Sequence, residues 1–514
     1  MPPPDLVLAN ANVLTLHAPR PRAWLVAVRD GRVVALGERE DLTALRGRGT
    51  RVVDCGGATL LPGFEDAHMH LLALASRLAA VDCGPEEAPT IEALVERVAA
   101  AAARTPQGEW VRAAGYDEVL LAEGRHPTRH DLDRATPHHP VRLDHRTGHA
   151  CVLNSLALRL LGVTAATPDP AQGVIQRDEA GEPTGVLLEL SDWVSGRMAP
   201  WRRGGETEAR VAAARRLLAQ RGVTAIQDAT VTNHVTRWRL LRRLRQEGRL
   251  RQRVTLMPGA QHLDAFLQEG LAAGGGDEGV RLGPAKVVLT LTTGAPHPPE
   301  AELERLVWDA HRSGFQVAVH AVEEEAVALA LGVVRRVQRG MPRPDARHRI
   351  EHAAECPPRL QQRVRAEGVC VVTQPGFLEV AGERYLVATE PRLQPHLYPV
   401  RSLLLEGVAV AAGSDAPAGP PDPLRGVAAA VTRRTRGGRT VAPAEAVPPL
   451  TALALHTAWP AYVVRAEGER GTIAPGKAAD LALLDTDPLA CEPEALAQAR
   501  VLLTLVGGQA VWEG

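Results

Sequence analysis

Thr59-Leu60-Leu61-Pro62-Gly63-Phe64-Glu65-Asp66-Ala67-His68-Met69-His70 is the stretch on which the fold turns. Residues 59–64 form an apolar segment, and the strand candidate 59–68 that contains it ends at the first of two histidines spaced i and i+2. Alternate residues of an extended strand share a face, so both imidazoles can address one ion. Alone the pair is a weak sign, because two ordinary polar histidines would look the same. Its weight depends on what the rest of the chain supplies.

Outward from this stretch, the chain alternates apolar strands with helical segments. Strand candidates are 59–68, 223–227, 253–257, 285–291, 316–320, 347–352, 369–373 and 408–412, with helix-like stretches such as 300–313 and 323–338 between them. Eight strands alternating with helices predict an α/β fold, a closed (β/α)8 TIM-type barrel over 61–465. About 150 residues separate the first strand from the second, too many for an unstructured loop. Residues 75–205 are therefore expected to be an α/β insertion capping the barrel. Short strands lie at both ends of the chain, with Asp30-Gly31 marking a hairpin turn. They predict a small β-sandwich built from 1–60 plus 466–514.

Bulk properties narrow the function classes. The 514 residues carry a formal net charge of -1 and are 45% hydrophobic. That balance gives no electrostatic ground for binding nucleic acid or an anionic membrane. No apolar run reaches membrane-spanning length and no leader is visible, and the six cysteines lack a CxxC pair. The expectation is a cytoplasmic protein acting on a small molecule, with homo-oligomerisation left open.

Later strand ends supply what His68 and His70 need. Val317-Ala318-Val319-His320 and Arg349-Ile350-Glu351-His352 each finish on a histidine, and Gly413-Ser414-Asp415 finishes the eighth strand on a carboxylate. Four histidines and an aspartate at strands one, five, six and eight form a metal-ligand constellation at the carboxyl end of a barrel. Of 59 basic side chains only Lys286 and Lys477 are lysine. Lys286 lies inside a predicted strand, where burial favours a neutral amine that can add carbon dioxide and become a bridging carbamate. A lysine paired with a buried carboxylate is the plain alternative. Lys477 sits in a Gly-rich turn and reads as structural.

These segments resemble the amidohydrolase superfamily, in particular its YtcJ-like branch, amidohydrolase family 3. The resemblance runs from Leu61–His70 through His320-Ala321, Glu351-His352-Ala353 and Ser414-Asp415-Ala416-Pro417 to the tail 471–480. It also includes Gly148-His149-Ala150 in the insertion. It implies a metal-dependent hydrolase of a non-peptide C–N bond (N-acyl, N-formyl or cyclic amide) with two divalent ions, zinc being the expected metal. His68, His70 and Asp415 would hold one ion, His320 and His352 the other, and carbamylated Lys286 would bridge them. Asp415 would also be the general acid and base, and His149 a substrate contact. Two departures affect the pocket: Ala321-Val322-Glu323 follows His320 where Ile-Gly-Asp is common, and Thr290-Leu291 stands where Asp-Gly often follows the lysine. Two other readings stay open, a mononuclear deaminase or isomerase of the superfamily and a metal-binding protein without catalysis. Trp110, Arg112, Tyr116 and Asp117 are candidate lining residues, with core packing an equal reading of the aromatics.

Overall fold

The computed structural model describes residues 2–201, 206–292 and 294–514. The chain divides into two compact units. Met1–His70, Arg215–Leu291 and Pro298–Gly514 make the first, and Leu71–Ala214 with Thr292–His297 make the second.

Parallel strands dominate the first unit, in two arcs. One arc runs Val280–Leu282, Arg253–Leu256, Val223–Asp228, Phe64–Met69. The other runs Ala285–Val288, Val317–Ala321, Arg349–His352, Cys370–Thr373, Val410–Ala412. Backbone hydrogen bonds link the arcs on both sides. Asp415 N donates to His68 O at 2.7 Å and His70 N to Ala416 O at 2.8 Å, while Lys286 N donates to Pro258 O at 2.8 Å. Strands covered on both faces have no reason to alternate. Accordingly every residue of Phe64–Met69 and Val223–Asp228 is buried.

Helices follow most of these strands, each for a readable reason. In Glu324–Gly340, Ala326, Val327, Ala330, Leu331, Val334 and Val337 recur at three- and four-residue spacing and are buried, while Arg335, Arg336 and Arg339 are exposed. Pro358 opens Pro358–Ala366, a position where the missing N–H costs nothing. The Asp422 side chain caps Pro423–Thr432 by accepting from Arg425 N.

The strand expected over 59–68 is two strands. Thr59–Pro62 pairs antiparallel with Leu481–Leu484 and parallel with Asn12–Leu14, whereas Phe64–Met69 pairs with Val223–Asp228. Gly63 makes the transfer between sheets. A Cβ there would lie 2.2 Å from Thr224 Cγ2 and 2.4 Å from Thr224 Oγ1, so no larger residue fits without displacement. Val280–Leu282 is a strand the sequence did not suggest; three residues are too few to carry a period.

Chain ends contribute two further sheets. A four-stranded sheet orders Arg32–Gly37, Leu25–Arg29, Leu6–Ala9, Arg51–Asp54, and a six-stranded sheet orders Gln509–Glu513, Val501–Val506, Leu481–Leu484, Thr59–Pro62, Asn12–Leu14, Arg22–Ala23. One core joins them through Leu8, Val26, Val33, Leu60, Leu481 and Leu505. Asp30 and Gly31 both have positive φ, 52° and 74°, as the tight turn between Leu25–Arg29 and Arg32–Gly37 demands.

The second unit holds a six-stranded mixed sheet ordered Val174–Arg177, Pro183–Leu188, Ala150–Leu153, Val141–His145, Val111–Tyr116, Val81–Asp82. Leu94, Val98, Leu132 and Leu143 form its core with Tyr116, and Trp110 packs against a neighbouring cluster containing Ile175 and Leu187. For these two aromatics the packing reading holds. The unit spans more than the expected 75–205, and residues 202–205 of that span lie outside the described residues. Among the described residues no helix is long and apolar enough to cross a membrane.

Candidate metal centre

His68, His352 and Asp415 each offer a ligand atom, and the three atoms lie within 4.8 Å of one another. His70 joins them, its Nε2 being 3.0 Å from Asp415 Oδ1, with His68 Nε2 at 3.6 Å from the same oxygen. The His320 ring centroid is 4.3 Å from that of His352. These residues close or follow strands of both arcs, which is why groups so distant in sequence meet. Backbone bends aim two of them. His352 and Asp415 have φ of 73° and 54°, the left-handed region, and so does Ala353 at 46°. Each costs of order 1–3 kcal/mol in a residue with a side chain, a cost that persists where surrounding structure imposes it.

Three of the imidazoles are held by Nδ1. Nδ1 of His68 contacts the Glu351 carboxylate. His70 Nδ1 is 3.0 Å from Thr230 Oγ1, and His352 Nδ1 donates to Gln374 Oε1 at 2.7 Å. A ring that donates through Nδ1 keeps its Nε2 lone pair free for a cation. The Nε2 of His352 is buried and makes no hydrogen bond among the described residues. The donor set, oriented this way, suits a divalent ion.

Lys286 is the least conventional member. It is 1% exposed, and its Nζ has no hydrogen-bond partner among the described residues. Burial pushes its ammonium down to about 8, against the pull of Glu351 and Asp415. Burial also drives His68 well below its ordinary value, with Lys286 adding to the shift, and lowers His352. Asp415 goes the other way. Burial alone would raise it, but the His70 hydrogen bond and the neighbouring His68 and His352 rings hold it well below the usual carboxylate range.

Beneath these side chains runs a buried polar network. Glu351 accepts from Arg349 Nε at 2.5 Å and Nη2 at 3.2 Å, and Arg349 Nη1 donates to Gln227 Oε1 at 2.7 Å. Gln227 Nε2 donates to Glu65 at 2.9 Å, and Glu65 pairs with Arg470. Glu351 and Arg349 are both 0% exposed. Substituting Glu351 by glutamine should therefore cost about 3–5 kcal/mol in stability, because Arg349 would keep a buried charge without its partner. It should also weaken metal binding about 10–100-fold through loss of the His68 anchor. Denaturant unfolding and metal titration measure the two effects; wild-type values in both would remove Glu351 from the centre. Reading the sequence by type assigned no role to Glu351, Arg349, Thr230 or Gln374. Only Arg349 and Glu351 carried a signal, two opposite charges at i and i+2 inside a predicted strand.

His149 lies in the second unit, 2.8 Å through Nδ1 from Glu189 Oε2, and Glu189 Oε1 accepts from Thr292 Oγ1 at 3.0 Å. Lys477 donates to Thr472 Oγ1 at 2.6 Å within its turn, a structural place.

Known proteins share this chain's organisation. It is 31% identical to the N-substituted formamide deformylase of Arthrobacter pascens, covering 98% of this chain and 97% of that one. YtcJ of Bacillus subtilis is 28% identical, with 96% of each chain covered. Among solved structures, a metal-dependent hydrolase of Pyrococcus horikoshii superposes with a TM-score of 0.77 at 25% identity, covering 95% of this chain and 99% of the other. The sequence profile described as the amidohydrolase family matches residues 51–512, and the chain belongs to that family of metal-dependent hydrolases.

Proposed function

We propose that the chain hydrolyses a non-peptide C–N bond in a small molecule at a centre of two divalent ions. His68, His70, His320, His352 and Asp415 would hold the ions together with a carbamylated Lys286. The observation that carries this reading is the set of imidazoles anchored at Nδ1 around Asp415, beside a buried lysine with no hydrogen-bond partner among the described residues. Histidine nitrogen and carboxylate oxygen favour zinc. Bound there, such ions supply Lewis acidity for the amide carbonyl and acidify a water enough to furnish hydroxide near neutral pH.

Asp415 then moves the protons. Its carboxylate accepts one from the attacking water and returns it to the departing nitrogen, which leaves as an amine only when protonated. His70 Nε2 lies 3.0 Å from Asp415 Oδ1, so the two groups face the same point. Lys286 contributes after its neutral Nζ attacks carbon dioxide: an N–C bond forms, the proton on nitrogen is released, and a carboxylate-like anion remains. Eight of the nine parallel strands in the two arcs, all but Val280–Leu282, are read as one (β/α)8 barrel joined through Lys286 N–Pro258 O and Asp415 N–His68 O, which would bring every ligand to one rim. The two terminal sheets are read as one β-sandwich from 1–60 and 466–514, and 75–205 as the insertion.

N-substituted formamides are the first substrates to assay, since the Arthrobacter relative is named for them. N-acyl and cyclic amides complete the panel. Turnover of one class should be lost with a chelator and return with Zn2+. Turnover that survives complete metal removal would overturn the reading. A mononuclear deaminase or isomerase is the second reading, favoured by the grouping of His68, His352 and Asp415 as a single three-ligand set. One catalytic ion per active chain would select it.

A further inference from the structure

We infer that the second unit contains its own divalent-metal site, formed by Asp117, Glu118 and His145 at the carboxyl edge of its sheet. Their ligand atoms lie within 4.8 Å of one another. Nitrogen and oxygen ligands around a tetrahedral zinc-sized ion are about 3.3–3.6 Å apart, so side-chain rotation would complete the set.

Topology creates the cluster. Val111–Tyr116 and Val141–His145 are adjacent parallel strands, with Tyr116 opposite His145. Both end at the same edge, where parallel sheets present ligand-binding groups. A register shift between Ala114 and Tyr116 centres on Gly115, whose φ is 104°. That φ lies in the region L side chains rarely adopt, so this bend favours glycine. It directs Asp117 and Glu118 to the end of the neighbouring strand. Asp117 is then fixed by an Asx turn in which Oδ1 accepts from Val119 N at 3.0 Å.

His145 adds a buried nitrogen donor to the two carboxylates. It is 6% exposed, and its Nε2 makes no hydrogen bond among the described residues. That nitrogen is 2.8 Å from Glu118 Oε2 without hydrogen-bond alignment. His145 Nδ1 is 2.8 Å from Thr147 Oγ1 and 3.3 Å from Thr147 N. Donation from Nδ1 to the hydroxyl oxygen, across the shorter contact, leaves the Nε2 lone pair for the ion. His126 flanks the group, its Nδ1 being 4.0 Å from Glu118 Oε2 and 3.0 Å from Tyr116 Oη. One imidazole and two carboxylates suit Zn2+, Mn2+ or Co2+, and the site adds one ion to whatever the strand-end histidines hold.

Full-length protein stripped with chelator and titrated with Co2+ tests this. Wild type should bind one equivalent more than either Glu118→Gln or His145→Asn, and should gain a larger rise in Tm from the metal. A plain His145–Glu118 ion pair would lower the Tm of both variants in chelator yet leave their Co2+ stoichiometry equal to wild type, and that result overturns the site. Anomalous scattering from Co2+-loaded wild-type crystals decides the matter even where a variant fails to fold. A peak within bonding distance of His145 Nε2 supports the site, and no peak there rejects it.

Discussion

Exchange of Lys286 for alanine or arginine is expected to lower kcat/KM by about a thousandfold or more, with arginine no better than alanine. Loss of a bridging anion removes several kcal/mol of transition-state stabilisation, and about 4 kcal/mol corresponds to about 10³ in rate. Arginine preserves positive charge and length, so a lysine kept for an ion pair would tolerate it. A lysine kept for its nucleophilic nitrogen would not. Burial favours the second case. Lowering the ammonium to about 8 makes the neutral fraction at pH 7 about 300-fold larger than at the ordinary 10.5. Two readouts separate chemistry from packing. Protein prepared in 13C-bicarbonate should show a carbamate carbon resonance that Lys286→Arg lacks, and acetate should restore part of the activity of Lys286→Ala by occupying the vacated space. Lys286→Arg with wild-type turnover and metal content would end the bridging role.

Lys286 was legible because so few lysines occur; it stood out in a chain that uses arginine almost everywhere else. The strand-end histidines and Asp415 were legible because parallel strands end at one rim, so residues far apart in sequence can be matched by their place on a strand. What could not be read was the shell behind them. Thr230 and Gln374 anchor His70 and His352, yet a hydroxyl and an amide in loops look like any other polar residues. Their role exists only once the ring nitrogens have positions. Gly63 shows the same limit for the fold. The apolar segment 59–64 reads the same whether 59–68 forms one strand or two, and only the approach of Thr224 shows why glycine stands where the chain changes sheets. His145 belongs with these: its neighbours in sequence gave no metal signal, and the bulge at Gly115 brought the carboxylates to it.

Asp415→Asn is expected to reduce kcat by about 10³–10⁴-fold while leaving the fold intact, because in the proposed mechanism one carboxylate serves as ligand and as proton carrier. Asparagine is the clean probe at this position. Asp415 has φ of 54°, a conformation that asparagine adopts at lower cost than alanine. Alanine should therefore also lose about 1–2 kcal/mol of stability, seen as a lower Tm than that of the asparagine variant. Asparagine keeps the backbone bond from residue 415 N to His68 O and an oxygen near His70, but it cannot hold a transferred proton. Metal analysis of the same sample divides the two roles. Full metal content with lost turnover assigns the defect to proton transfer, and lost metal assigns it to ligation. Asp415→Asn that binds metal fully and turns over at the wild-type rate would show that another group carries the proton, and the mechanism built on this carboxylate would fall.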